Sequence, residues 1–203
     1  MQVILNDIGK RFSQKWVFKG LNMQFDSGLH YALTGKNGSG KSTLMLIAAG
    51  YLTPTRGKVD WALNGNSLPP ETVYERLSLA SPYLELIEEF TLEEIILFHQ
   101  KFKPFIDGFD KERLVELSGL KDSRNKALRY FSSGMKQRVK LMLAIMSNTS
   151  LVMLDEPCAN LDNDAVDWYQ NLKQQYGKLR TFVICSNHNT HEYPEVSKVY
   201  SIS

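Results

Sequence analysis
The sequence predicts an α/β fold in which a strand-and-helix core is interrupted by a helical insertion. Three observations carry that reading. A compact apolar strand at His30–Thr34 runs into a glycine-rich turn and then a helix. A second apolar run, residues 151–154, ends in the paired acids Asp155 and Glu156. Between them, from residue 91 to about 131, apolar residues recur at helical spacing. Strands alternating with helices bury a sheet under helices, which is one of the few stable layer architectures.

The elements follow in order. Residues 3–5 and 21–25 are short strand candidates. A helix spans 41–49, and Gly50 ends it. Thr53, Pro54 and Gly57 make a turn, followed by a strand candidate at 58–62 and a brief strand at Leu77–Ala80. In the insertion Leu92, Ile95, Ile96 and His99 share one helix face, and Leu114, Leu117 and Leu120 another. Residues 134–146 are a helix with Val139, Met142, Leu143 and Met146 on one side. A helix at Asn163–Tyr176, a strand at Thr181–Ser186 and a last strand at 198–202 complete the chain, which has no internal repeat.

With 203 residues, the expectation is one domain, 1–203, with a subdomain of about 91–147 inside it. A net charge of +2 is too small to imply a nucleic-acid partner, so none is expected. No apolar run approaches the roughly 18 residues that span a bilayer. Residues 1–7 carry no basic stretch ahead of an apolar one, so no signal peptide is expected. Cys158 and Cys185 form no metal-ligand pattern. The expected compartment is the cytoplasm; any work at a membrane requires a second chain to do the spanning.

Gly35-Lys36-Asn37-Gly38-Ser39-Gly40-Lys41-Ser42-Thr43 fits the P-loop pattern Gly-x-x-x-x-Gly-Lys-Ser/Thr. It follows a strand and opens a helix, the context that motif needs. Glycines let backbone N–H groups turn inward around phosphates, and the helix N-terminus adds partial positive charge. Lys41 is placed to reach the β- and γ-phosphates of ATP, and the Ser42 hydroxyl to ligate Mg²⁺. Asp155, at the carboxyl end of its strand, suits the same Mg²⁺. Glu156, one residue on, suits polarising an attacking water. An acidic pair alone could be a solvated strand end; paired with a P-loop it reads as a site.

Two further segments bring a family into view. Phe131-Ser132-Ser133-Gly134-Met135-Lys136-Gln137-Arg138 resembles the signature Leu-Ser-Gly-Gly-Gln-x-Gln-Arg of ATP-binding-cassette (ABC) ATPases. Asp155-Glu156-Pro157-Cys158-Ala159-Asn160-Leu161-Asp162 resembles that family's Walker B strand end and D-loop. The resemblance covers essentially the whole chain. It implies a P-loop NTPase of the ABC cassette type, with a mixed core sheet and a helical subdomain carrying the signature. It also implies that Ser132 and Gly134 address the γ-phosphate held by a second cassette, and that Glu156 is the general base. The partners implied are ATP, that second copy, and an integral membrane transporter subunit.

The sequence departs from the family at several points. Ser133 stands for the first signature glycine and Met135 for the signature glutamine, whose hydrogen bonds a thioether cannot replace. Where the family has its Q-loop glutamine, Ser81 is the nearest equivalent; it is too short to reach metal and water except through a bridging water. The aromatic that stacks on adenine matches Phe12, with Trp16 as the fallback. The γ-phosphate sensor after the last core strand is Asn187 by the family register, with His188 one place late. The functional expectation is an ATP-hydrolysing motor subunit of an ABC transporter. Its rivals are a soluble ABC-type ATPase and a low-turnover regulatory subunit.

Overall fold
A computed structural model describes residues 1–202. In chain order it has strands β1 (Gln2–Phe12), β2 (Lys15–Phe25) and β3 (His30–Thr34), then helix α1 (Lys41–Ala48). Strands β4 (Arg56–Leu63) and β5 (Asn66–Leu68), helix α2 (Val73–Arg76) and strand β6 (Leu77–Ala80) follow. Helices α3 (Leu92–Gln100), α4 (Lys111–Ser118) and α5 (Ser133–Met146) form the insertion. The chain then runs through β7 (Leu151–Asp155), α6 (Asn163–Tyr176), β8 (Thr181–Ser186) and β9 (Lys198–Ser201).

The strands divide between two sheets. One is antiparallel, in the order β2-β1-β4-β5; the other is parallel, in the order β6-β7-β8-β3-β9. The mixed strand directions expected from the sequence are thus separated rather than woven into one sheet. Every residue of β7 and β8 is buried, as a strand covered on both faces must be. Their side chains alternate between two cores, because successive residues of a strand point to opposite faces. Leu151, Met153, Val183 and Cys185 pack with α1 and the antiparallel sheet. Val152, Leu154, Phe182 and Ile184 pack with α5, α6 and the insertion.

The insertion begins where the sequence places it. Thr91 caps α3 through its side chain, which accepts from the Glu94 N–H while Glu94 accepts from the Thr91 N–H. Leu92, Ile95 and Ile96 are buried as the helical spacing predicts. Two elements escaped the sequence reading: β5, with only one apolar residue in three, and the single-turn α2. Strands β1 and β2 run to 11 residues each, well beyond 3–5 and 21–25. Register shifts between Leu5 and Arg11 break the alternation by which a long strand is recognised.

Arg180 ties the insertion to the sheet. Its guanidinium donates to the carbonyls of Ile145 (2.5 Å), Ser147 (2.9 Å) and Thr149 (2.7 Å), closing the C-terminal end of α5. Burial lowers its pKa to about 10, which still leaves it charged at neutral pH. Arg180→Met keeps the apolar stem but strands those carbonyls. It is expected to destabilise the protein by about 2–3 kcal/mol, as measured by urea unfolding.

Candidate nucleotide site
The parallel register aligns four strand ends on one edge. Ala80 pairs with Leu154, Asp155 with Cys185, and Thr34 with Ser186. Ser81, Asp155, Glu156, His188 and the Gly35–Lys41 loop are therefore delivered to the same edge, where open α/β sheets hold ligands. Helix α1 starts there without a side-chain cap. By contrast α3, α4, α5 and α6 are capped by Thr91, Asp110, Ser132 and Asp162. The first-turn N–H groups of α1 thus point into a cleft of about 540 Å³ with no side-chain acceptor of their own, the arrangement that takes an anion. Only glycine fits at Gly40: its φ is 98°, and a Cβ would lie 2.5 Å from Cγ1 of Val17.

Lys41 is buried, and its Nζ donates to the carbonyls of Gly35 (2.8 Å) and Lys36 (3.1 Å). The amine is held inside the curl of the loop, where phosphate oxygens would replace those carbonyls. Ser39 Oγ is buried without a hydrogen-bond partner, and so is Asp155 Oδ1. Burial raises the Asp155 pKa, and the hydroxyls of Ser42 and Ser81 beside it oppose that rise. An uncapped helix N-terminus and a lysine in one cleft, with unpartnered oxygens on the loop and on the strand end behind it, fit a nucleotide phosphate chain with a hard dication. Asp155 and Ser42 supply the oxygen donors such an ion takes.

Glu156 lines the cleft with Asn37, Gly38, Lys41, Ser42 and Thr43. Its backbone is left-handed, φ 45°, and its N–H is fixed to the Cys185 carbonyl at 2.9 Å. The Ser81 hydroxyl donates directly to Asp155 Oδ2 at 3.2 Å, which ties it to the acid assigned to the metal.

After β8 the structure sets His188, rather than Asn187, beside the loop. Asn187 is exposed and outside the walls of both cavities flanking the loop. His188 instead lines the adjoining cavity of about 480 Å³ with Gly35, Asn37 and Ser39. The cause is local. Ser186 Oγ and Asn189 close a tight turn on each other (3.1 and 3.2 Å), and His188 sits within it at φ 59°. Extension stops at Ser186, so strand alternation no longer decides which side chain faces the loop.

The first hairpin contributes Val17 to the cleft, not the expected aromatics. Phe12 is half exposed at the end of β1 with the Lys10 amine 5.1 Å from its ring centre. Trp16 has the Arg11 guanidinium 5.5 Å and the Lys19 amine 4.5 Å from its ring centre. Ser132 caps α5, accepting from the Met135 N–H at 3.2 Å, and neither it nor Gly134 lines the cleft of its own chain. Gly134 packs against the D-loop instead; a Cβ there would meet the Asn160 carbonyl at 2.7 Å. Sequence reasoning missed Tyr83, exposed on the cleft wall, and Gln137, whose buried amide reaches the carbonyls of Glu156 and Pro157. Nothing in the residue pattern around Tyr83 signals the first. Gln137 stood within the quoted signature without a role.

A P-loop, an acid pair and a helical insertion with a capped signature helix, set on one sheet edge, define a nucleotide-driven ATPase cassette. The ABC transporter family profile matches residues 18–159. A curated relative from Staphylococcus aureus (strain bovine RF122 / ET3-1) is 31% identical, covering 100% of this chain and 97% of its own length; it carries the name hemin import ATP-binding protein HrtA. The fold matches the ATP-binding cassette MJ0796, solved as a dimer bound to ADP and Pi (TM-score 0.83, 19% identity, 99% of this chain, 94% of that one). It also matches a bacterial Atm1-family ABC exporter with ATP bound (TM-score 0.83, 16% identity), of which it spans 37%. The chain belongs to the ABC transporter family, as one of its ATP-binding, ATP-hydrolysing subunits.

Proposed function
We propose that this chain is a single Mg²⁺-dependent ABC ATPase unit that works as a pair, with the pair docked on separate membrane subunits at the cytoplasmic face. The observation that carries this reading is one cleft lined by the uncapped N-terminus of α1, Lys41, Ser42 and Glu156, with the buried Asp155 carboxylate against the Ser42 hydroxyl. Lys41 and the N–H groups of the loop hold the phosphates, and Ser42 and Asp155 are the residues that would hold Mg²⁺. When bound, the ion neutralises phosphate charge. Glu156 accepts a proton from the attacking water. Ser132 and Gly134 lie outside the cleft of their own chain, which supports a site completed by the signature of a second copy. The Staphylococcus relative is named for hemin; cargo choice is a property of the membrane subunit, not of this chain. Among the described residues no helix is long and apolar enough to cross a membrane, which supports a separate spanning partner.

ATPase activity of the purified chain, abolished by chelating Mg²⁺ and changed by reconstitution with its co-purifying membrane protein, tests the reading. Hydrolysis indifferent to the chelator or to the membrane partner would refute it. His188, as the donor beside the loop, serves as the γ-phosphate sensor. Losing one hydrogen bond to a charged group implies that His188→Ala slows hydrolysis about 10–100-fold. Asn187→Ala should stay near the wild-type rate. Comparing steady-state rates of the two single variants checks this, and a severe loss only in Asn187→Ala would restore the family register.

A further inference from the structure
Glu156 occupies a conformation its own sequence does not favour. A non-glycine residue at φ 45° is uncommon, and a following proline biases the residue before it towards extended backbone. Residue 157 is that proline, so the turn bearing the carboxylate must be held from outside. On one side, the Cys185 carbonyl accepts the Glu156 N–H at 2.9 Å. On the other, the Gln137 amide, only 4% exposed, donates to the Pro157 carbonyl at 3.0 Å and reaches the Glu156 carbonyl at 3.5 Å. Both acceptors are carbonyls, so the amide must present its NH₂ to them, and one group with two N–H bonds spans two successive peptide units.

The turn is also gripped one residue further on. Buried Glu192, on the segment after His188, accepts the Cys158 N–H at 3.3 Å, and its own carbonyl accepts the Tyr169 hydroxyl at 2.7 Å. Glu192 fixes the far end of the turn. Gln137 fixes the peptide units that follow the Glu156 Cα. Rotation of the Glu156 backbone towards an ordinary conformation would swing its carbonyl off the Gln137 amide.

We propose that Gln137 is a positioning residue for hydrolysis: from α5 it locks the backbone that aims the Glu156 carboxylate at the attacking water. This rests on Glu156 being the general base proposed above. Gln137 lies on the helix that Ser132 caps and that carries Gly134, five and three residues away, so the element addressing a partner's nucleotide also holds the base of its own chain.

The test compares Gln137→Met, which keeps length and apolar stem without donors, with Gln137→Glu, which sets an acceptor against two carbonyls. Both are placed in the wild-type and in the Glu156→Gln background, and rates are read well below the lower melting temperature. In the wild-type background kcat should fall about 10–100-fold, the scale of a misplacement of about 1 Å, while KM for ATP moves less than about twofold. In the Glu156→Gln background the residual rate should not fall further, since no base remains to be aimed. Overturning results are a kcat at the wild-type level in Gln137→Met, a rise in KM without a loss of kcat, or an equal fall in both backgrounds. Wild-type hydrolysis by Glu156→Gln alone would remove the base assignment itself. A slow Glu156→Gln beside a fast Gln137→Met would remove only the positioning role.

Discussion
Glu156→Gln is expected to cut ATP hydrolysis by about 10²–10⁴-fold, the usual cost of losing a general base. The amide keeps the shape of the carboxylate and still hydrogen-bonds a water, but it cannot take the water's proton. ATP binding should persist, because Lys41 and the N-terminus of α1, the groups proposed to hold the phosphates, are left in place by the substitution. The backbone at Glu156 should also be unchanged: its N–H and carbonyl, not its side chain, are what Cys185 and Gln137 grip. Binding without hydrolysis should then trap the ATP-bound pair. Size-exclusion chromatography with ATP and Mg²⁺ should show a dimer for the variant and mostly monomer for the wild type. A variant that remains monomeric at high protein concentration, or that hydrolyses at the normal rate, would overturn the assignment.

What was legible in the sequence follows from how locally each feature is encoded. The P-loop needs glycines, a lysine and a hydroxyl at fixed offsets between a strand and a helix, and all of that lies within Gly35–Thr43. Asp155 and Glu156 were equally readable, because a buried strand must end where its acids begin. The placement of Asn187 and His188 was not readable, because the turn depends on hydrogen bonds between Ser186 and Asn189 that no periodicity announces. Ser81 could be matched by position to the missing glutamine, but its bond to Asp155 joins residues 74 positions apart. The same holds for Gln137 and Pro157, 20 positions apart on α5 and the D-loop. The adenine aromatic was inferred from position in a hairpin, and β1 and β2 pair with register shifts that displace such an inference.

Lys41→Ala is expected to remove most ATP affinity and, with it, turnover at ordinary ATP concentrations. The sequence suggests a lysine that faces phosphate and is not core; in the structure it is 5% exposed and bonded to the Gly35 and Lys36 carbonyls. That burial does not make it part of the apolar core. Its neighbours are the loop's own carbonyls, which water can reach once the side chain is gone. The stability cost should therefore stay near 1 kcal/mol, that of an ordinary hydrogen bond. The binding cost is larger. Each hydrogen bond from an ammonium to a charged phosphate oxygen contributes about 1.5–3 kcal/mol, so losing even one weakens binding about 10–100-fold. Lys41→Arg should not rescue it, since a planar guanidinium cannot enter a curl closed around a compact ammonium. Calorimetric titration with ATP, beside a thermal melt of the same variant, separates the two costs. Wild-type ATP affinity in a folded Lys41→Ala protein would sink the phosphate-binding role of the loop.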